Sequence, residues 1–236
     1  MHKLACPKCH KPIVQIGNSY KCDSGHCYDI AKSKYLNLLL NPDKATNNPG
    51  DSKESLIARK AYLTKGYYTA GLKKIFNDDN IYGLDISKEA INMATKYTKD
   101  IYWLVGNSKN LPIVDHSLDF ITALFTVVNQ NELKRALKPG GYIIHVTANP
   151  NHLIEIKHLI YDEIKVKSDK YIRLDFKKVE SYDLIHQVKI DNREDALNLL
   201  KMTPHYYHIK KERRNILDTL NKLDITIDIK ITIYST

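Results

Sequence analysis

The sequence predicts an α/β protein in which a mostly parallel sheet with crossover helices follows a small metal-binding module. Two observations predict this architecture. All four cysteines of the 236-residue chain lie within its first 27 positions. From about residue 80 onward, short apolar runs alternate with segments of helical periodicity, a pattern typical of an open sheet whose strands are joined by helices.

Composition limits the classes of function. Apolar residues make up 43% of the chain, enough for a sizeable core, and the net charge is +9. That charge favours a polyanionic partner such as nucleic acid, with a merely solvated lysine-rich surface as the equal alternative. Every apolar run is far shorter than the ~20 residues that a membrane span needs. Because Met1 leads directly into the first cysteine pair, we expect no secretory signal and a cytoplasmic protein.

The metal-binding module is predicted from paired ligands. Cys6 and Cys9 form a Cys-x-x-Cys pair, and Cys22, His26 and Cys27 follow after a short hairpin-like stretch. Tight turns of this kind deliver tetrahedral zinc ligands in pairs, and a piece this small would take folding free energy from the metal. Adjacent residues rarely bind one ion, so the fourth ligand is either His26 or Cys27. Redox-active or buried free thiols are the alternative for the whole motif.

A helical linker is predicted between this module and the sheet. Residues 29–40 have helical character, residues 51–54 resemble a capping box, and residues 67–76 form a further helical stretch. The chain is therefore divided into a zinc-binding module at 1–35, a helical linker at 36–76 and an α/β domain at 77–236.

The α/β domain is predicted element by element from its periodicity. Strands are expected at 81–85, 101–105, 118–127, 142–147, 181–190 and 225–234, and helices at 87–99, 129–137, 151–164, 192–201 and 209–220. In the last strand, five isoleucines alternate strictly with polar residues, as in a strand with one buried face.

One acidic residue has a position with a known physical use. Asp85 ends the first strand of the domain, where a carboxylate at the edge of the sheet can accept both hydroxyls of a ribose. The equal alternative is a residue that only caps the following helix, which is expected to begin at Ser87. Asn107 and Ser108 follow the next strand and offer polar side chains at the same edge.

The order of these motifs resembles a class I S-adenosylmethionine-dependent methyltransferase, in which the turn Leu137-Lys-Pro-Gly-Gly141 is frequent. Further motifs narrow the match: Cys6-Pro-x-Cys9, His26-x-Tyr28-Asp29-x-Ala31-Lys32, Pro49-Gly50-Asp51-Ser52, Ala58-Arg59-x-x-Tyr62-Leu63, His152-Leu153-x-Glu155-x-Lys157 and Leu200-x-Met202-Thr203-Pro204. Together they are similar to the RlmA-type 23S rRNA guanine-N1 methyltransferases, which carry an N-terminal zinc ribbon ahead of a Rossmann-like class I domain. The resemblance spans nearly the whole chain.

The resemblance implies a role for each site residue. Zinc would be bound by Cys6, Cys9, Cys22 and His26. S-adenosylmethionine would be contacted by Tyr68, Asp85 and His152, with Asn107 and Ser108 near its adenine. The substrate would be guanine N1 in a 23S rRNA hairpin held by the ribbon and the cleft, and a homodimer is a further expectation. Without the resemblance, Tyr68 would be interpreted as a core aromatic residue and His152 as a capping or solvent-facing histidine. The basic residues at 210–214 would be interpreted as a solvated helix face.

The chain departs from the family pattern just before Asp85. No Gly-x-Gly occurs anywhere, and residues 76–80 connect directly to the strand at 81. We expect the first β-α unit, which is the central strand with its glycine turn and crossover helix, to be missing together with half of the cofactor pocket. Val127 stands where the family usually has a proline. Three hypotheses follow: a guanine-N1 methyltransferase of rRNA, a zinc-dependent RNA-binding protein that lost catalysis, and a methyltransferase acting on a small molecule.

Overall fold

The computed structural model describes residues 3–43, 49–62, 80–164 and 174–236. The strands are β1 Val14–Ile16, β2 Ser19–Lys21, β3 Cys27–Asp29, β4 Tyr35–Asn37, β5 Tyr82–Asp85, β6 Tyr102–Val105, β7 Leu118–Leu124, β8 Leu137–Ala148, β9 Lys177–Ile190 and β10 Leu223–Ser235. The helices are α1 Lys53–Tyr62, α2 Lys88–Ala94, α3 Gln130–Ala136, α4 Ile154–Ile160, α5 Arg193–Lys201 and α6 Ile216–Thr219. In these ranges, no helix has the length and apolar character required to cross a membrane.

The N-terminal module is a small antiparallel sheet in the order β1-β2-β3. Its first hairpin turns at Gly17, which has a φ of +60° and lies next to the pair Ile16 and Ser19. Glycine adopts this left-handed conformation without the steric cost that a Cβ would add. The hairpin between the two ligand pairs therefore forms where the sequence predicts it.

The helix expected at residues 29–40 is wrong. The chain instead forms β4, which pairs in parallel with β6. Successive side chains of β4 are buried on opposite faces, because Tyr35 packs with Trp103 while Leu36 packs with Leu104. Burial on both faces favours a strand over an amphipathic helix. Part of the segment assigned to a helical linker thus belongs to a sheet.

The parallel strands of the α/β domain lie in two separate sheets. One has the order β4-β6-β5 and is entirely parallel, and the other has the order β7-β8-β10-β9, in which only β7 and β8 are parallel. In the described part of the chain, β5 and β7 are outer strands that no further strand joins. This separation is what the loss of a central strand between them would produce.

The helices around the sheets begin at the predicted caps but are shorter than expected. Ser87 accepts a hydrogen bond from the backbone N–H of Ala90, and Asn129 caps α3 in the same way. α4 begins at Ile154 rather than at residue 151 because Leu153 has a φ of +53° and donates its N–H to the carbonyl of Thr226 on β10. A left-handed residue cannot continue a helix toward its N-terminus.

The basic helix expected at residues 209–220 is wrong. The segment forms a short 3-10 turn at Lys211–Arg213 and the four-residue helix α6. The guanidinium of Arg193 donates hydrogen bonds to the carbonyls of Leu217 and Asp218, and Arg213 forms a salt bridge with Asp162. Tertiary contacts of these groups replace the hydrogen bonds that a longer helix would have made.

The zinc module and the three-stranded sheet share one hydrophobic core. Leu4, Cys6 and Ile13 of the module are buried with Leu36 of β4 and Leu104 of β6. The backbone extends this contact, because residues 3–5 pair antiparallel with residues 112–114 of the loop after β6. The module is therefore packed into the α/β domain and is not a separate appendage.

Candidate metal centre and methyltransferase site

The structure brings together the side chains of Cys6, Cys9, Cys22 and His26. Their ligand atoms all lie within 4.8 Å of one another. Cys9 Sγ lies 3.7 Å from Cys22 Sγ, and His26 Nδ1 lies 3.4 Å from Cys6 Sγ and 3.5 Å from Cys22 Sγ. A zinc tetrahedron with ligand distances of about 2.3 Å to sulfur and about 2.0 Å to nitrogen has edges of about 3.8 and 3.5 Å. The donor set and its spacing thus fit zinc.

Cys27, the neighbour of His26, lies outside this cluster because of its position in a strand. Cys27 belongs to β3, where it pairs with Lys21, and its side chain is exposed. His26 stands one residue earlier, at the end of a turn in which Cys22 donates its N–H to the carbonyl of His26. Of the two candidates for the fourth position, the geometry brings His26 to the other three side chains.

The surroundings of the cluster differ from one thiol to the next. A hydrogen bond from the backbone of Lys11 lowers the pKa of Cys9 to about 6, whereas burial raises the pKa of the Cys22 thiol. The hydroxyl of Tyr28 lies 3.0 Å from Cys6 Sγ, and burial together with this contact raises the pKa of Tyr28. Tyr28 is therefore a neutral hydrogen-bond donor to a ligand sulfur, a contact that orients metal ligands.

The predicted nucleoside residues lie at the carboxyl ends of the parallel strands. Asp85 ends β5, and its carbonyl accepts the N–H of Gly106, the residue that follows β6. One carboxylate oxygen of Asp85 accepts the N–H of Ser87 at 2.7 Å. Burial raises the pKa of Asp85, and the hydrogen bond from Ser87 opposes that shift. Asp85 thus supports the turn into α2 with its carboxylate, at the carboxyl end of β5.

Sequence reasoning missed the part of α1 that faces this carboxylate. Asp51 and Arg59 form a salt bridge, and both charges act on Asp85. The loop before α1 passes so close to Ser87 that a Cβ at Gly50 would lie 2.7 Å from the Ser87 Cβ. The motifs that carry Gly50, Asp51 and Arg59 were visible in the sequence, but their spacing along α1 did not indicate a position beside Asp85.

Asn107 and Ser108 lie in the loop after β6 and connect the two sheets. The Asn107 side chain accepts the N–H of Lys109, and Ser108 Oγ donates to the carbonyl of Val127 at 3.3 Å. Val127 is 80% exposed and follows Phe125 beyond the end of β7. The loops after β6 and β7 therefore contact each other next to the carboxyl ends of these two strands.

His152 lies at the same edge, in the loop after β8. Its ring stacks on Phe125, with the ring centroids 5.6 Å apart and the planes at 19°. Burial lowers the pKa of His152, and the nearby charge of Lys157 lowers it further. Tyr68, the remaining predicted cofactor residue, lies outside the described residues.

Comparisons with known proteins agree with this two-part organisation. Residues 4–45 match the family described as RlmA, N-terminal, a zinc ribbon, and residues 63–145 match the family described as methyltransferase domain. The 23S rRNA (guanine(748)-N(1))-methyltransferase of Streptomyces fradiae is 23% identical over 98% of this chain and 95% of its own length. A demethylmenaquinone methyltransferase of a Geobacillus strain is 25% identical over 45% of this chain and 51% of its own.

YxjB of Bacillus subtilis (strain 168), assigned provisionally to guanine-N1 methylation of 23S rRNA, is 24% identical over 97% of this chain and 95% of its own length. That alignment extends over 277 positions, so at least 41 of them have no counterpart in the 236 residues here. Among solved structures, YcgJ of Bacillus subtilis superimposes with a TM-score of 0.40 and 17% identity over 66% of this chain and 81% of its own.

The two family matches and the two 23S rRNA methyltransferase relatives confirm the resemblance that the sequence motifs indicated. Zinc is the metal that the ribbon match and the three-cysteine, one-histidine cluster indicate, and S-adenosylmethionine is the cofactor of the domain that follows. The chain thus carries a zinc ribbon of the RlmA type at residues 4–45, followed by an S-adenosylmethionine-dependent methyltransferase domain that matches from residue 63 to residue 145.

Proposed function

We propose that this protein methylates guanine N1 in a hairpin of 23S rRNA. The observation that carries the proposal is the combination of an RlmA-type ribbon with a methyltransferase domain in one chain, which two relatives with guanine-N1 names share over nearly their full length. The third hypothesis, methylation of a small molecule, leaves the ribbon without a role.

The residues at the sheet edge fit the nucleoside end of the cofactor. Asp85 has an oxygen for the ribose hydroxyls, and Asn107 and Ser108 have polar groups for the adenine edge. Bound S-adenosylmethionine supplies a methyl group on a sulfonium. The protein has to hold the extruded guanine in line with that methyl, and such positioning supplies much of the rate in group transfer.

The ribbon is proposed to bind zinc through Cys6, Cys9, Cys22 and His26 and to contact the rRNA backbone. Lys8, Lys11 and Lys21 are exposed on the ribbon and offer charge to phosphates. Binding of this kind weakens as salt rises, because each phosphate contact releases counterions. The homodimer remains a prediction.

A second candidate function is RNA binding without catalysis. It is favoured by the sequence, which contains no Gly-x-Gly and is at least 41 positions shorter than its alignment to YxjB. Without the glycine turn, the backbone cannot approach the methionine end of the cofactor in the usual way.

One assay separates the two candidates. Zinc-loaded protein is incubated with methyl-labelled S-adenosylmethionine and a 23S rRNA hairpin, and the product is mapped by reverse transcription, which N1-methylguanine stops because the methyl blocks the pairing edge. Methylation should give label in the RNA and a stop at one guanine, both lost in Asp85→Ala. Salt-dependent RNA binding without any label would contradict the enzyme and support the second candidate.

A further inference from the structure

A buried acid on β10 organises the loop that carries His152. Asp228 is 4% exposed and lies opposite the end of β8. Its backbone carbonyl accepts the N–H of Asn149 at 2.9 Å. Its carboxylate accepts the side-chain amide of Asn149 at 3.0 Å and the backbone N–H of Asn151 at 3.2 Å. One residue therefore makes three contacts to the start of this loop.

A fourth contact fixes the protonation pattern of the imidazole. The backbone N–H of Asp228 donates to His152 Nδ1 at 3.3 Å. A nitrogen that accepts an N–H carries no proton, so a neutral His152 must carry its proton on Nε2. The ring is also held from the other side by its stack on Phe125.

The surroundings keep this imidazole neutral. Burial and the ammonium of Lys157 lower the pKa of His152, and the Asp228 carboxylate opposes them. Glu155 is directed to Thr226, and Asp183 shares the Asn149 amide with Asp228, so both carboxylates are engaged by other groups. The His152 ring therefore has a defined tautomer at neutral pH.

We propose that Asp228 is a positioning residue of the methyltransferase site, which holds the loop after β8 and presents His152 as an Nε2–H donor to an acceptor oxygen of the cofactor. This inference rests on the proposed function, because the Nε2–H of His152 can donate to the cofactor only if the cofactor binds at this site. It assigns His152 the role of a hydrogen-bond donor and excludes it as the base that takes the guanine N1 proton.

The test combines a spectroscopic readout with binding. Long-range ¹H–¹⁵N correlation spectra of the full, zinc-loaded chain report the tautomer of each histidine, with His152→Gln used to assign the signals. The wild-type chain should show His152 protonated at Nε2. Asp228→Asn keeps the backbone N–H but leaves one acceptor oxygen where the carboxylate used two, for Asn149 and Asn151. The loop should then move away from that N–H, so the variant should lose the single tautomer and bind S-adenosylhomocysteine about tenfold more weakly, as expected for the loss of one charge-assisted hydrogen bond.

Two further variants keep the test decisive. Thr232→Val removes a buried hydrogen bond between the same strand and Ser181, so it controls for general loss of stability and should leave the tautomer and affinity unchanged. Asn149→Ala removes the loop side of the contact and should have the same effects as Asp228→Asn, so the test can still be made if Asp228→Asn does not fold.

An Nδ1–H tautomer in the wild type, or an unchanged tautomer in both loop variants, would overturn the inference. Failure of the wild type to bind the cofactor would count against the proposed function alone, because the spectra need no ligand.

Discussion

The zinc ribbon and the methyltransferase sheet differ in how complete they are. In the ribbon, four ligand side chains, three short strands and a supporting tyrosine come from residues 6–29, and every part needed for the metal is present. The sheet in the described residues is divided between β5 and β7, where a class I domain has its central strand. In the described residues, the metal site of the ribbon is thus complete, whereas the sheet beside it is divided at the place of the central strand.

The largest expected effect comes from removing a zinc ligand. Cys22→Ala should abolish zinc binding, because structural zinc contributes on the order of 10 kcal/mol to such a module. The shared core with Leu36 and Leu104 should transmit the loss, so hydrogen exchange in β4 and β6 should rise as well. Zinc content by metal analysis and exchange by mass spectrometry measure both effects. Cys27→Ala is the matched control, and a loss of zinc in that variant would refute the assigned ligand set.

The split in the sheet predicts the second largest effect. Insertion between Asn80 and Ile81 of a β-strand, a Gly-x-Gly turn and a helix of the kind that opens a class I domain should tighten S-adenosylhomocysteine binding by about 100-fold, since it supplies backbone contacts to the methionine end. An insertion of equal length with both turn glycines changed to valine is the control. Equal affinity of the two insertions would show that the glycine turn is not what the chain lacks.

The third effect tests the contact between the zinc ribbon and the methyltransferase domain. Arg135 of α3 donates to the carboxylates of Glu132 and Asp115 and to the carbonyls of Leu111 and Ile113, and so holds the loop that pairs with residues 3–5. Arg135→Ala should lower the free energy of unfolding by about 3 kcal/mol, because it removes the ion pair of the largely buried Glu132 carboxylate and the guanidinium hydrogen bonds to the carbonyls of Leu111 and Ile113. Chemical denaturation measures it.

The exposed salt bridge between Lys210 and Asp162 provides the control for Arg135. Lys210→Ala should cost less than about 1 kcal/mol, as surface ion pairs do. Equal effects of the two variants would show that the Arg135 network does not join the ribbon to the sheet.

The smallest effect concerns stability at the partly buried carboxylate of Asp85. Burial raises the pKa of Asp85, so the folded chain binds more protons than the unfolded chain just above the ordinary pKa of the group. Stability is therefore lost as pH rises through that window. Asp85→Asn, which keeps the acceptor for Ser87, should raise the melting temperature by a few degrees at pH 7 and by less at pH 4. Asp100→Asn at an exposed position should change neither, and a lower melting temperature for Asp85→Asn at pH 7 would contradict the burial argument.

The structure brings the four predicted zinc ligands together and places Asp85 at the end of β5, and the sequence could predict both because their signals are local. The ligand spacing, the cap at Ser87 and the acid that ends β5 each depend on a few neighbouring residues. β4 was missed because it forms only with a partner strand 68 positions away, as in the pair Leu36 and Leu104, where burial on both faces overrides helical periodicity. The helix at 209–220 was wrong because Arg193 and Asp162, distant in sequence, take up its polar groups. The sequence could not predict the role of Asp228 either, because an acid within a run of alternating isoleucines does not indicate which loop its carboxylate contacts.

The measurement that tests the central claim most directly is a calorimetric comparison of adenosine with S-adenosylhomocysteine on the zinc-loaded chain. Our central inference is that the nucleoside end of the cofactor site is present and that its methionine end lacks the glycine turn. It predicts that both ligands bind at one site with affinities within about threefold of each other, because the amino-acid part finds few contacts. Binding of S-adenosylhomocysteine more than about 100-fold tighter than adenosine would contradict it, since other residues of the chain would then hold the methionine end.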